Sequence, residues 1–200
     1  MRNRHIALVM AVCLGLTSSA WGAFKVQAGA ALANLNFSED LGQQKASILP
    51  VGGLGFEIGL AGFLALEVDL SYAPGGCRFE REVGTLTYEG SALALPVLFK
   101  LRLGPGSTPF LGAGAGVGYV LNSKIKYKYD WASGDMDLKD EVSRLQYGLV
   151  FSGGYQLALG SMAVSLEVRY QLGLSNMIKD PLPGESVRAS TLTALVGYKF

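Results

Sequence analysis

The stretch Ser190-Thr-Leu-Thr-Ala-Leu-Val-Gly-Tyr-Lys-Phe200 alternates two kinds of side chain. Leu192, Ala194, Val196, Tyr198 and Phe200 fall on one face of an extended strand; Thr193, Leu195, Gly197 and Lys199 fall on the other. A period of two belongs to a strand lying between two different environments. With its apolar face outward and an aromatic residue at its end, the stretch suits the closing strand of a barrel in lipid. Such a strand has to pair with the first one, because a strand edge in hydrocarbon has no water to satisfy it.

Seven more segments carry the same alternation, at about 23–35, 48–60, 63–73, 87–103, 110–122, 144–157 and 162–174. In 63–73, Leu64, Leu66, Val68, Leu70 and Tyr72 oppose Ala65, Glu67, Asp69 and Ser71. The run Leu64-Ala-Leu-Glu-Val-Asp-Leu-Ser-Tyr72 is echoed by Val164-Ser-Leu-Glu-Val-Arg-Tyr-Gln-Leu172, so the repeated unit is a hairpin. Short connections at 61–62, 104–108 and 158–161 alternate with long ones at 36–47, 74–84, 123–142 and 175–187. The reading is an all-β, eight-stranded antiparallel up-and-down transmembrane β-barrel, with short turns at the periplasmic end and long loops outside. Pro96 lacks a ladder donor, and its strand is expected to be irregular there.

Composition points the same way. Half the residues are apolar and the mean hydropathy is +0.30, yet beyond residue 22 no apolar run approaches the roughly 20 residues of a spanning helix. Strands of about ten alternating residues resolve that conflict, and 27 glycines argue against long helices. Residues 1–22 read as a secretory signal: Arg2 and Arg4, an apolar run from Ile6 to Leu16, then Ala20-Trp-Gly22 with cleavage before Ala23. The alternative is an uncleaved anchor. Its removal leaves 178 of the 200 residues as one domain, 23–200, with 15 basic residues against 16 acidic ones. No basic stripe with interleaved aromatics suggests nucleic acid. The only histidine, His5, leaves with the signal, which removes Ser-His-Asp and Cys-His catalysis and the usual zinc sets. No enzyme activity, cofactor or metal is expected. Cys77 is then the only cysteine, placed in an outer loop, either merely tolerated or forming an intermolecular disulfide.

Leu93-Ala-Leu-Pro-Val-Leu-Phe-Lys100, Pro109-Phe-Leu-Gly-Ala-Gly-Ala-Gly-Val-Gly-Tyr119 and Glu167-Val-Arg-Tyr-Gln-Leu-Gly-Leu-Ser-Asn176 resemble strands of the bacterial outer-membrane β-barrel domain family, the porin-family barrels of OmpA/OmpX type. The resemblance covers nearly all of 23–200. It implies residence in the outer membrane, among lipid, with a mostly structural or adhesive role. It also implies that the assembly machinery of that membrane reads the terminal aromatics Tyr198 and Phe200. Similar barrels carry a proline where Pro96 stands, and those that acylate or deacylate lipid A use a histidine that 23–200 lacks.

Three groups of residues are candidate sites. Lys25, Glu57, Glu67, Asp69, Lys100, Arg102, Arg144, Glu167, Arg169 and Lys199 lie on the faces opposite lipid and are expected to form an ion-paired network filling the lumen. Most lie near short turns or termini, which places the cluster in the periplasmic half. The other reading of the network is a proton or ion path. The glycines 112, 114, 116 and 118 recur at every second residue, so they make space in a narrow barrel rather than a phosphate loop. In 123–142, Lys126, Tyr127, Tyr129 and Trp131 suggest a surface that recognises an extracellular protein or glycan. The competing reading is a hairpin beyond the membrane, with Lys and Asp facing across strands.

The sequence reading leaves a structural or surface-interaction protein, a narrow pore or small-solute transporter, or a soluble lipocalin-like ligand-binding barrel. The leader can be tested first. Terminal sequencing of the exported protein is expected to begin Ala23-Phe24-Lys25, and a chain retaining residues 1–22 would contradict that reading.

Overall fold

The computed structural model describes residues 22–37, 44–81, 84–129, 133–180 and 186–200. The leader thus lies outside the described residues apart from Gly22, which opens the first strand. The described elements are all strands: β1 (Gly22–Phe37), β2 (Gln44–Ala61), β3 (Leu64–Arg81), β4 (Gly84–Arg102), β5 (Thr108–Tyr129), β6 (Ser133–Asp137), β7 (Leu145–Leu159), β8 (Met162–Gly173) and β9 (Val187–Lys199). Neighbours pair antiparallel in the order β4-β3-β2-β1-β9-β8-β7-β5, and β4 pairs β5 to close an eight-stranded barrel. The short β6 adds to β5 alone.

Closure falls where the final stretch predicts it. β9 runs antiparallel to β1 from Lys25 opposite Lys199 to Phe37 opposite Val187. Phe24 and Phe200 exchange backbone hydrogen bonds, Phe24 N–H to Phe200 O at 3.0 Å and Phe200 N–H to Phe24 O at 2.9 Å. The outer face of this seam is aromatic, with the rings of Phe24 and Phe200 6.4 Å apart and those of Tyr198 and Phe200 6.1 Å apart.

Large apolar side chains point out and charges point in. Phe24, Leu54, Leu70, Phe99, Leu166 and Val196 are exposed, whereas Lys25, Glu57, Glu67, Asp69, Lys100, Glu167 and Arg169 are buried. A soluble lipocalin-like barrel would show the inverse arrangement. Exposed Tyr72, Tyr119, Tyr147 and Tyr170 form one girdle, while Phe24, Phe63, Tyr198 and Phe200 mark the other end. These are the two interfacial belts of a barrel in a bilayer.

Two expectations change at the extracellular end, and one reading is met. β3 continues through Pro74-Gly-Gly-Cys to Arg81, so 74–81 is strand rather than loop. Cys77 consequently lies on the inner face opposite Tyr88, with none of its surface exposed, and has no access to a second molecule. The reading of a hairpin beyond the membrane is met: 123–129 extends β5, and β6 folds back on it with Lys124 opposite Asp137 and Lys126 opposite Asp135. Above the lipid the outer face of a strand meets water instead of hydrocarbon, so the apolar/polar alternation that marks strands lower down disappears.

Pro96 keeps its place without a slip: Val68 opposite Val97 and Ser71 opposite Ala94 hold one register on either side of it. The β3–β4 ladder is nonetheless interrupted at Leu95 and Pro96, the irregularity expected there, and a register shift in β4 sits at Ser91/Ala92. Gly160, with φ +69°, serves the tight turn between β7 and β8. At Gly114 the reason for glycine is close approach, since a Cβ there would collide with the Val97 carbonyl oxygen of β4. At Gly118 a Cβ would sit 3.9 Å from its nearest neighbour. Gly114→Ala is therefore expected to cost about 1–3 kcal/mol. Gly118→Ala should stay within about 0.5 kcal/mol of wild type. Urea unfolding in lipid, followed by heat-modifiable gel mobility, separates the two.

Candidate functional site: a charged layer across the lumen

A narrow barrel brings distant strands within reach of one another. Lys25 on β1 stands directly opposite Gly55 on β2, which in turn faces Asp69 on β3. Gly55 carries no side chain, and a Cβ there would collide with Asp69 and lie 3.0 Å from the Lys25 chain. Lys25 thus extends across β2, placing its Nζ 2.6 Å from Glu67 Oε1 and 3.5 Å from Asp69 Oδ1.

From the opposite wall, Arg169 on β8 crosses the lumen. Its Nη1 donates to Asp69 Oδ2 at 2.8 Å, and its Nη2 donates to Glu67 Oε1 at 3.1 Å and Glu167 Oε1 at 2.8 Å. Lys100 on β4 completes the set, 2.8 Å from both Glu67 and Glu167. Three cations thus meet three carboxylates, all six of them buried. A charge withdrawn from water is tolerable only when paired and hydrogen-bonded, and here each has two or more partners.

A second, smaller group lies closer to the chain ends. Glu57 on β2 accepts from Arg102 on β4 and from Lys199 on β9, the latter at 2.7 Å. Glu57 also stands opposite Glu67 across the β2–β3 ladder, so these two cations relieve a like-charge contact. A space of about 10 Å³ lies among these side chains, about enough for one water molecule.

The family follows from the chain as a whole. A family model described as "Outer membrane protein beta-barrel domain" matches residues 22–179. The chain belongs to that family. As an outer membrane β-barrel domain it resides in the bacterial outer membrane. No curated protein matches it by sequence. Among solved structures it is similar to Ail, the attachment invasion locus protein of Yersinia pestis, in complex with the heparin analogue sucrose octasulfate, at 16% identity and TM-score 0.47, covering 90% of this chain and 99% of that one. Neisserial surface protein A gives 17% identity and TM-score 0.48, with 89% and 99% covered. OprG of Pseudomonas aeruginosa gives 14% identity and TM-score 0.48, with 92% and 98% covered.

The candidate residues sort clearly in this outer membrane β-barrel domain. Lys25, Glu57, Glu67, Asp69, Lys100, Arg102, Glu167, Arg169 and Lys199 come together in the two groups. Arg144 does not: it precedes β7, its side chain is half exposed, and it donates to Asp140 Oδ1 at 3.3 Å outside the lumen. Strand parity does not govern a residue in the connection before a strand. Three inward-facing partners were not among the candidates. Gln27 Nε2 donates to Asp69 Oδ2 at 3.0 Å, Gln156 Oε1 accepts from Lys199 Nζ at 2.6 Å, and the Phe110 ring lies 4.4 Å beneath Lys100 Nζ. Gln27 shares the parity of Lys25 on β1, and Phe110 that of the inward glycines of β5, a signal that could have found both.

In the recognition loop, Lys126 pairs with Glu89 of β4 at 2.8 Å, although Asp135 stands opposite it on β6. Tyr127 is half-buried on the other face. Tyr129 ends β5, and Trp131 lies outside the described residues.

The layer predicts an asymmetry between two arginines. Arg169→Met leaves three carboxylates facing two lysines and is expected to cost about 3–5 kcal/mol of unfolding free energy. Arg144→Met removes an exposed pair and should leave the urea midpoint unchanged. Equilibrium urea titration of both variants in lipid vesicles checks this.

Proposed function

We propose that this outer-membrane barrel is non-conducting and non-catalytic, and that it acts as a structural element presenting an extracellular sheet to a protein or glycan at the cell surface. The observation that carries the reading is the charged layer. Three cations and three carboxylates span the lumen from β1 to β8, with a space of about 10 Å³ between them and the Glu57 group. Eight strands enclose an interior that side chains can fill, and these fill it with groups that hold one another in place. The alternative of a narrow pore requires a path through that layer.

The extracellular side supports an interaction role. β4, β5 and β6 continue above the tyrosine girdle as a three-stranded sheet, with Lys124, Lys126 and Lys128 on one face of β5 and Ile125 and Tyr127 on the other. Lys126 and Tyr127 are the side chains of this sheet that we assign to contact with a partner. We further assign the leader 1–22 to export and the terminal aromatics Tyr198 and Phe200 to recognition by the assembly machinery. Both aromatics are exposed at the seam, beside Phe24.

Planar bilayer recording of the purified protein tests the central element. The expectation is no steady unit current from wild type. Steady open-channel currents that fall in Glu67→Ala would establish the pore instead.

A further inference from the structure

Above the charged layer the lumen changes character. A cavity of about 130 Å³ opens toward the extracellular side. Its walls are small residues, including Ala31, Ala94 and Gly118, interrupted by neutral hydrogen-bonding groups: Tyr88, Asn122, Gln146, Gln171 and Thr193. Among the described lining residues the only charge is Arg169 at the floor, and that guanidinium is already held by Glu67, Asp69 and Glu167. Neither an anion nor a cation finds an open counter-charge there.

Two further features make this a built pocket rather than the mouth of a tube. Met177, from the connection between β8 and β9, lies over it with 9% of its surface exposed. Its N–H donates to Val187 O at 2.8 Å, and its carbonyl accepts from Ser143 N–H at 2.8 Å, so this roof is pinned from both sides. Below the roof, Gln146 Nε2 is buried without a hydrogen-bond partner. An amide donor buried unpaired is unfavourable, and a ligand acceptor would remove that penalty.

We propose that this vestibule is a dead-end binding site for an uncharged pyranose ring. A cavity of about 150 Å³ takes one unsubstituted six-membered ring, so a pyranose ring would sit in this volume with substituents reaching into its extracellular opening. The alanine and glycine walls and the Tyr88 ring suit the C–H faces of such a ring. The neutral amides and hydroxyls suit its hydroxyl groups, with Gln146 Nε2 donating to one of them. The site lies within the lumen and is separate from the β4–β6 surface assigned above.

Saturation-transfer NMR tests the assignment, using native protein in lipid nanodiscs with methyl β-D-glucopyranoside and methyl β-D-galactopyranoside as probes. Transfer to ring protons of at least one probe is expected in wild type. It should fall to background in Gly118→Leu, whose side chain enters the cavity from a position where a Cβ makes only ordinary van der Waals contact. It should weaken in Gln146→Leu, and glucuronate should show none. Heat-modifiable gel mobility confirms that both variants are folded. Absence of transfer for both pyranosides in wild type would overturn the proposal. So would undiminished transfer in folded Gly118→Leu together with Gln146→Leu.

Discussion

In hydrocarbon a backbone N–H or C=O has only the protein to bond to, and the Phe24–Phe200 exchange is where this chain meets that requirement. Without the β1–β9 seam, two long strand edges would face lipid. The seam fixes the strand number at eight, and eight strands fix a narrow interior. The rest of the interior follows from that narrowness. Side chains from β1, β3, β4 and β8 arrive at one level and must be mutually complementary in both volume and charge.

Charge complementarity and space act together in the layer. Lys25 reaches Glu67 because Gly55 is bare, and Lys100 passes Gly112, where a Cβ would lie 3.4 Å from the lysine chain. The glycines are thus the counterpart of the long cations. Where the ionic residues stop, the same pattern of small residues leaves the space above them empty. The lumen is accordingly divided into a filled periplasmic half and an open extracellular half. That division underlies both the proposed non-conducting role and the proposed dead-end vestibule.

Sequence periodicity revealed the membrane-embedded part because lipid and lumen impose opposite chemistry on alternate residues. Leu64 to Tyr72 and Leu192 to Phe200 could be read residue by residue for that reason. Beyond the tyrosine girdle that contrast ends, so 74–81 resembled a loop although it is strand, and Cys77 looked exposed although it is buried. Arg144 was misplaced by carrying parity past the start of β7. Membership of the charged layer was largely legible from parity. Its pairings were not, since Lys25 and Glu67 are 42 residues apart and meet only through the registers of β1, β2 and β3.

The central claim is that the charged layer behaves as one mutually dependent unit that fills the lumen. A double-mutant cycle on Lys100 and Glu167, 2.8 Å apart across the barrel, measures that dependence directly. Unfolding free energies of Lys100→Met, Glu167→Gln and the double variant in lipid vesicles are required. The account predicts a coupling of about 1–3 kcal/mol, with the double variant more stable than the sum of the single losses implies. Additive losses would contradict it.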